Sequence, residues 1–391
     1  LDDISIQKKI NQNSERDIAF INNVLLTTMR YNFHSKKIIR LYVNKKQKIN
    51  EELLLISSIT QLVFLNFKNY AVINSSVEIA KKINIYHGFI NALLKKICLE
   101  KNKLKETKIF FSDLPKWFRD ETKNLTKKEK ENFVENFFQK PNIHLVVKEK
   151  HNLFEFKEDV VKTSEISCFL KENKKINLVS NYSKGVWWVQ DFSSSLPLNN
   201  ISNDALEGNC IDLCAAPGGK SFQILSKKRP IIVNDKSIKR MNVLKENIKR
   251  LQFNPQIYNE DLLNFEPDLK FDFIILDTPC SAVGTIRKNP EIFFKKNSPK
   301  IKNLIKIQQK MLEKASTMLN KNGLILYMVC SFYREFHSGR PCRPTKRPTS
   351  RCVSSWCCPT TSQMTQVFTA KHVRFIRKCS SQVRLQMVPR T

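Results

Sequence analysis

The sequence predicts a chain of several domains, in which an all-helical N-terminal domain precedes an α/β domain built on a parallel sheet. Two observations predict this fold class. Apolar residues recur at helical spacing almost throughout residues 1–102, and strands alternate with helices from residue 186 onward. With 391 residues, of which 41% are hydrophobic, the chain is long enough for two or three separate cores.

The N-terminal domain, residues 1–102, is predicted from four amphipathic segments. The first begins after Ser14, whose hydroxyl suits an N-cap. One face of this segment carries Ile18, Ile21, Val24, Leu25 and Met29. Residues 51–67 predict a more buried helix, and residues 74–83 and 88–102 predict two further helices. The last of them ends in lysines, which suit the negative end of a helix dipole.

The middle of the chain, residues 103–185, carries a weaker signal. Turn residues alternate with basic helical stretches and with one short strand candidate, IHLVVKE. We expect a connecting α+β subdomain here.

The α/β domain is predicted over residues 186–332. Its strands are NCIDLC, PIIVN, PQIYN, FDFIIL and GLILYMV, with helices between them that include residues 300–319. This order is typical of a doubly wound parallel sheet, in which ligands bind at the carboxyl ends of the strands.

The net charge of +31 favours a polyanionic partner, with nucleic acid first and an anionic membrane surface second. No apolar run is long enough to span a bilayer, and the opening residues lack the order of a signal peptide. The 11 cysteines include no CxxC pair, and the 6 histidines are scattered. We therefore expect a cytoplasmic protein with neither disulfides nor a metal site.

Residues 333–391 differ in composition from the rest of the chain. Arginine, cysteine and proline replace lysine, asparagine and isoleucine, and Glu335 is the only acidic residue. The segment is either a disordered basic arm that contacts nucleic acid or the product of a shifted reading frame. The abruptness of the change favours the shifted frame.

A glycine-containing turn, DLCAAPGGKS at residues 212–221, follows the first strand of the α/β domain. The glycines allow close approach of the backbone to a ligand, and the following helix offers free N–H groups. A P-loop would need glycine where Cys214 stands. Asp235 and Asp261 follow the next two strands, where such folds hold ribose and base. The pattern predicts an adenosine-containing cofactor; the alternative is an ordinary turn with solvated acids.

Two cysteines and an aspartate follow the last two strands. FDFIILDTPCS (271–281) contains Asp277 and Cys280 after its apolar run, and YMVCSF contains Cys330. Because parallel strands end at the same edge of a sheet, we expect these groups to converge beside the cofactor. A lone cysteine is usually a small buried hydrophobe, but a matched pair needs another explanation. A thiolate added to carbon 6 of cytosine activates carbon 5 towards a sulfonium methyl donor, provided that a base removes the carbon-5 proton.

These segments resemble the RNA cytosine-C5 methyltransferases, specifically the bacterial 16S ribosomal RNA enzymes of the Sun (RsmB) type. CAAPGGK (214–220) is similar to the cofactor loop of that family, and DTPCSAVGTIRKNPE (277–291) to its fourth motif. VCS (329–331) is similar to its sixth motif, with Val329 in place of the usual threonine. SERDIAF, SSVEIAKK and GFINALLKKI are similar to its NusB-like RNA-binding domain. The resemblance covers residues 10–332.

The resemblance implies a Rossmann-like domain that methylates carbon 5 of a cytosine in small-subunit ribosomal RNA, using S-adenosylmethionine and a covalent adduct. It implies that Cys330 is the nucleophile, that Cys280 assists product release and that Asp277 contacts both cofactor and cytosine. The implied cofactor-binding residues are Cys214, Ala215, Ala216, Pro217, Gly218, Gly219, Lys220, Asp235, Asp261 and Asp277. Cys280 remains the alternative nucleophile, because other C5 methyltransferases use the thiol that follows proline.

Several alternatives stay open at this point. The chain is either this enzyme, acting as a monomer on 16S-type RNA, or a non-catalytic RNA-binding protein with a degenerate methyltransferase domain. A methyltransferase for proteins or small molecules leaves the charge and the paired thiols unexplained. Trp187 and Trp188 either stack on the target base or, as we favour, pack in a core or line the cofactor pocket. Ser281 and Arg287 either shape their loop or contact phosphate. For Arg287, a solvated side chain with no specific role is a further alternative.

The family also has an acidic helix and an antiparallel hairpin after its sixth motif. We find no such pattern after residue 333, and we therefore expect an exposed sheet edge.

Overall fold

The computed structural model describes residues 14–294 and 301–331, together with the backbone of two strands at 372–379 and 382–386. The chain divides into two compact units, which we call the helical unit (residues 1–140 and 286–298) and the sheet unit (residues 141–285 and 299–391). This division differs from the expected boundaries, because the first part of the predicted connecting subdomain falls in the helical unit and the second part in the sheet unit.

The helical unit contains seven α-helices within its described residues. They are α1 Glu15–Arg30, α2 Asn32–Tyr42, α3 Ile49–Ile59, α4 Asn69–Lys82, α5 His87–Lys105, α6 Lys116–Glu121 and α7 Lys127–Phe137. Ser14 caps α1 as predicted, since its side chain accepts a hydrogen bond of 3.2 Å from the N–H of Asp17. Thr126 and Glu129 form a capping box at the start of α7. Local sequence signals therefore set where these helices begin.

An aliphatic core holds α2 to α5 together. Ile38, Leu55, Ile59 and Leu94 are each fully buried in it. The apolar face predicted for α1 is half-buried, whereas the residues between its members are mostly exposed. The amphipathic spacing of the sequence thus predicts which faces are buried.

A four-stranded antiparallel sheet opens the sheet unit, in the order β2-β3-β1-β4. Its strands are β1 His144–Val147, β2 Val160–Ser164, β3 Ser167–Leu170 and β4 Trp187–Val189. Trp187 and Trp188 are 0% and 2% exposed. Both indoles therefore serve as core residues, and stacking on a target base is excluded for them in this structure.

The second sheet has seven strands in the order β11-β10-β9-β8-β5-β6-β7. Five of them are mutually parallel: β5 Cys210–Asp212, β6 Ile232–Asn234, β7 Ile257–Tyr258, β8 Phe271–Asp277 and β9 Leu319–Val329. Helix α8 Phe192–Asn199 precedes these strands, and α9 Gly219–Ser226, α10 Ile238–Leu251 and α11 Ile301–Thr317 lie between them in the sequence. The predicted combination of an all-helical domain and a doubly wound α/β domain is confirmed.

The expectation of an exposed sheet edge after β9 is wrong. β10 His372–Cys379 pairs antiparallel with β9, placing His372 opposite Val329, and β11 Gln382–Gln386 pairs antiparallel with β10. The sequences HVRFIRKC and QVRLQ interleave apolar and basic residues, a strand signal hidden by the unusual composition around them. Residues 333–371 lie outside the described residues, so both interpretations of that segment stay predictions.

Among the described helices, none combines the length and the apolar character needed to cross a bilayer.

Candidate active site

The turn between β5 and α9 is the expected cofactor turn, and it requires a glycine at one position. Gly218 has a φ of +112°, a conformation that side chains disfavour. A Cβ at this residue would overlap the ring of Phe222 and would lie 2.6 Å from Leu244 Cδ1. The turn is therefore packed tightly against its own helix, and it presents backbone rather than side chains at the carboxyl end of β5.

Asp235 ties this turn to the end of β6. Its carboxylate accepts hydrogen bonds from the N–H of Ala216 (3.2 Å) and from the N–H of Ser237 (2.9 Å). The side chain is only 3% exposed, and Arg240 lies 3.5 Å from it. Asp261 differs, because its side chain is 41% exposed and lies 3.6 Å from Lys236. Both acids lie at the carboxyl edge of the sheet, but Asp235 is buried and stabilises the cofactor turn through its hydrogen bond with Ala216.

Sequence reasoning missed Asp212, the last residue of β5. Asp212 is 1% exposed and accepts a hydrogen bond of 2.8 Å from the hydroxyl of Ser221. Burial raises the pKa of Asp212 to about 6, although Lys220 and Ser221 oppose this shift. An acid that ends a buried strand was the available signal, and the same signal did identify Asp277.

Cys214, in the cofactor turn, is not suited to be a nucleophile. Burial raises the pKa of its thiol, and the nearby carboxylates of Asp212, Asp235 and Asp277 raise it further. A thiol in these surroundings stays protonated at neutral pH. The three carboxylates lie close enough to one thiol to act on it, so the ends of β5, β6 and β8 meet around this turn.

Lys220 and Asp277 form an ion pair in the site. Their side chains are 12% and 22% exposed. Burial lowers the pKa of Lys220, but Asp277, Asp212 and Cys330 outweigh burial, and the net shift is upward. Lys220 therefore stays a cation at neutral pH, with carboxylates on either side and a thiol within electrostatic range.

Cys280 and Cys330 face each other, with their sulfur atoms 2.8 Å apart. The backbone N–H of Cys330 also donates to the Cys280 sulfur at 3.2 Å. The hydrogen bond with the Cys330 side chain is the main cause that raises the pKa of Cys280, and burial raises it further. Cys280 thus keeps its proton, and the sulfur of Cys330 lies within electrostatic range of the Lys220 ammonium.

No group of three or more histidine, cysteine or acidic side chains is arranged to hold a metal within the part of the chain that the structure describes.

Comparison with known proteins supplies the family. Residues 198–338 match the family model described as 16S rRNA methyltransferase RsmB/F, and residues 1–98 match the NusB family. This chain joins a NusB-family domain to a methyltransferase domain of the RsmB/F family.

Relatives of the RsmB/F type match both parts of the chain. The ribosomal RNA small subunit methyltransferase B of Proteus mirabilis (strain HI4320) is 28% identical over 358 residues, which cover 85% of this chain and 83% of the relative. The protein of the same name from Pasteurella multocida (strain Pm70) is 25% identical over 354 residues, covering 83% of this chain and 78% of the relative. The crystal structure of PH0851 has the same fold, with a TM-score of 0.63 at 19% identity over 95% of this chain and 91% of that chain.

In the RsmB/F-type domain, residues 278–285 form what we call the Cys280 loop. The hydroxyl of Ser281 donates to that of Ser331 at 2.9 Å, and the N–H of Gly284 donates to the carbonyl of Cys330 at 3.1 Å. Ser281 is buried, so its role is to shape this loop. The loop is thus bonded to the residues that follow β9, which holds the two thiols at the same edge.

Proposed function

We propose that this chain transfers a methyl group from S-adenosylmethionine to carbon 5 of a cytosine in small-subunit ribosomal RNA. The observation that carries the proposal is the pair of sulfur atoms 2.8 Å apart, beside the Lys220–Asp277 ion pair. Oxygen and nitrogen acceptors attack a sulfonium methyl directly and need no thiols. Carbon 5 of cytosine needs one thiol to activate the ring and a second group to complete the reaction. The names of the curated relatives favour the same substrate.

The cofactor turn and three acids fit S-adenosylmethionine. A side chain at Gly218 would collide with Phe222 and Leu244, so the glycine keeps the turn close against its helix at the carboxyl end of β5, where such folds bind their ligands. Residues 214–220 would hold the cofactor with Asp235, Asp261 and Asp277, which suit its ribose, base and cationic end. When bound, the cofactor supplies an electrophilic methyl group.

Cys330 acts as the nucleophile. Its thiolate, favoured by the cation of Lys220, adds to carbon 6 of a cytosine that has left its stack. The new sulfur–carbon bond makes carbon 5 nucleophilic. Asp277, held by its ion pair with Lys220, forms hydrogen bonds with the polar edge of the cytosine ring.

Cys280 completes the reaction. The pKa of its thiol is raised chiefly by the hydrogen bond with Cys330. That cause disappears once the Cys330 sulfur is bound to the base. Cys280 then releases its proton to solvent more readily, and its thiolate accepts the proton of carbon 5 after methylation. Elimination breaks the bond between sulfur and carbon 6 and returns Cys330 as a thiolate. The raised pKa of resting Cys280 argues against it as the nucleophile.

RNA that contains 5-fluorocytosine tests these roles, because fluorine at carbon 5 cannot leave as a proton and the adduct is trapped. With S-adenosylmethionine present, we expect a stable protein–RNA complex from the unchanged protein and none from Cys330→Ala. Cys280→Ala is the matched control, and it should still form the complex. Adduct from Cys330→Ala but not from Cys280→Ala would exchange the two roles.

Transfer of labelled methyl groups to small-subunit RNA separates the enzyme from its rival, a non-catalytic RNA-binding protein. That rival rested on a truncated sheet, and strands β10 and β11 remove its main support. Ordinary RNA should accumulate adduct with Cys280→Ala, because release fails. Absence of any methyl transfer by the unchanged protein would favour the rival.

RNA is the partner that the helical unit suits best. Lys95 and Lys96 on α5 are exposed, and the Lys96 ammonium lies 5.1 Å from the centre of the Tyr42 ring. Neither lysine forms an ion pair with another described residue, so both are available to phosphate. A cytoplasmic location and a monomeric state stay predictions from the sequence.

A further inference from the structure

We propose that Gln308, on α11, is a positioning residue for the reaction. It holds the backbone carbonyl that directly precedes Cys280, and it thereby keeps the Cys280 thiol turned towards Cys330. The proposal rests on the proposed function for its RNA readouts, and it also has a readout that needs no methyl transfer. Every contact that carries it lies within the sheet unit.

Gln308 is a polar residue on the buried face of α11. Ile301, Met311 and Ala315 share that face at helical spacing, and all three are apolar. Gln308 is 4% exposed, whereas its neighbour Gln309 is exposed to solvent. A buried amide is costly unless it is hydrogen-bonded, so the partners of Gln308 explain why it is tolerated among apolar residues.

The amide of Gln308 bonds to both segments that carry the cysteines. Its Nε2 donates at 2.8 Å to the carbonyl oxygen of Pro279, the residue before Cys280. Its Oε1 accepts at 2.9 Å from the hydroxyl of Tyr327, in the part of β9 that leads to Cys330. Because a carbonyl oxygen only accepts, the nitrogen of the amide must face Pro279 and its oxygen must face Tyr327. The hydroxyl of Tyr327 thus sets the direction in which the amide of Gln308 points.

The bond to Pro279 restrains the backbone that enters Cys280. The proline ring fixes φ of Pro279, so ψ is the torsion that turns its carbonyl together with the planar peptide unit before Cys280. On the other side of the proline, the N–H of Thr278 donates to the carbonyl of Met328 at 3.1 Å. With the carbonyl of Pro279 bonded to Gln308, the direction of the Cys280 side chain is set.

The chain after Cys280 is held separately. The hydroxyl of Ser281 donates to that of Ser331 at 2.9 Å, which attaches this part of the loop to the residues after β9. Loss of the Gln308 bond therefore leaves the loop attached and frees the peptide unit before Cys280. We expect a local change in the direction of one thiol rather than unfolding of the domain.

The bond of Gln308 matters most after Cys330 has added to the base. In the resting site the two sulfur atoms hold each other at 2.8 Å, and that contact is lost once the Cys330 sulfur is bound to carbon 6. Cys280 must then accept the proton of carbon 5. The N–H of Cys330 lies 3.2 Å from the Cys280 sulfur and can stabilise its thiolate only while Cys280 keeps its direction. The bond between Gln308 and Pro279 involves neither thiol, so it persists through this step.

Covalent adduct on ordinary RNA separates positioning of Cys280 from a general loss of structure. Gln308→Met keeps a similar volume but offers no N–H. We expect addition by Cys330 to proceed and release to slow, so that adduct accumulates and kcat falls roughly tenfold to a hundredfold. KM for S-adenosylmethionine should stay within about twofold, because the cofactor turn keeps its contacts. Gln309→Met is the matched control at the neighbouring exposed position and should change neither quantity. A fall in kcat without adduct, or a rise in KM alone, would contradict the positioning role.

Cross-linking of the two thiols by dibromobimane is the readout that needs no RNA. The reagent joins thiols that lie close together, and mass spectrometry of the peptides identifies the link between Cys280 and Cys330 among the 11 cysteines. Loss of one neutral hydrogen bond shifts a local equilibrium by roughly threefold to tenfold, and the yield of this link should fall by that factor in Gln308→Met. Gln309→Met should keep the yield of the unchanged protein.

Tyr327→Phe is the second variant, and it decides the case in which Gln308→Met fails to fold. It keeps the ring and the N–H of Gln308 but releases the direction of the amide, so it should lower the yield of the link by a smaller factor. An unchanged yield in Gln308→Met, or in Tyr327→Phe when it alone folds, would overturn the proposal. If the unchanged protein transfers no methyl group, the proposed function fails, and the cross-link still decides whether Gln308 sets the direction of Cys280.

Discussion

A buried histidine should make the helical unit sensitive to acid. His34, on α2, is 7% exposed and lies among aromatic rings, with centroid distances of 4.3 Å to Phe138, 5.4 Å to Phe64 and 5.3 Å to Tyr31. Burial is the main cause that lowers the pKa of His34 from 6.5 to about 4. Lys37 lowers it further, and Asp113 opposes both. The folded protein therefore keeps this imidazole neutral under conditions in which the unfolded chain protonates it.

The sign and size of the effect follow from linkage. Because the pKa is lower in the folded state, the stabilisation is present above pH 6.5 and is lost as the pH falls from 6.5 towards 4. Between pH 7.5 and pH 5 the free energy of unfolding should fall by about 2 kcal/mol from this residue alone, since one pKa unit corresponds to about 1.4 kcal/mol. That change corresponds to roughly thirtyfold in the opening equilibrium.

Amide exchange in peptides from α2, corrected for the intrinsic effect of pH, measures this opening in the intact protein. His34→Phe is the matched variant, because phenylalanine keeps an aromatic ring in place and binds no proton. Nδ1 of His34 has no hydrogen-bond partner among the described residues, so the replacement loses no bond at that atom. The unchanged protein should lose protection at pH 5 and the variant should lose about thirtyfold less. The same pH dependence in both proteins would refute the reasoning.

Two further predictions concern the cofactor turn and the RNA partner. Gly218→Ala should lower the free energy of unfolding by about 2–5 kcal/mol, because of backbone strain and overlap with Phe222. The variant should also bind S-adenosylhomocysteine more weakly in calorimetry. Unchanged stability would contradict the role given to Gly218 in this turn. Replacement of Lys95 and Lys96 by alanine should reduce the slope of log affinity for RNA against log salt by about 0.7–0.9 per lost phosphate contact. Lys116→Ala is the control, because Lys116 is already paired with Asp120 at 2.6 Å, and an equal change there would argue against a specific surface.

The sequence predicts the centre of the fold well, because its strands are buried on both faces. FIIL reads as a continuous apolar run, and Ile274, Ile275 and Leu276 are fully buried in β8. Once β8 and β9 are known to be parallel, the thiols of Cys280 and Cys330 must end at one edge. Topology alone therefore predicts that they approach each other.

Features that depend on tertiary contacts were beyond sequence reasoning. RKNPEIFF reads as a loop, and nothing local indicates that Phe293 packs among rings from three helices. Arg30 donates a hydrogen bond to the carbonyl of Arg287, which lies 257 residues away in the sequence. The hairpin of β10 and β11 was missed for a different reason, because unusual composition outweighed a short alternating pattern.

The interleaved path of the chain has a consequence for synthesis on the ribosome. A nascent chain that has reached residue 140 contains every helix described in the helical unit but lacks residues 286–298. Phe33, Phe118 and Phe137 then lack their aromatic partner, Phe293, until residue 293 of 391 has been translated. The first domain to begin folding is thus among the last to be finished, and a fragment cut after residue 140 exposes an apolar hollow to the solvent.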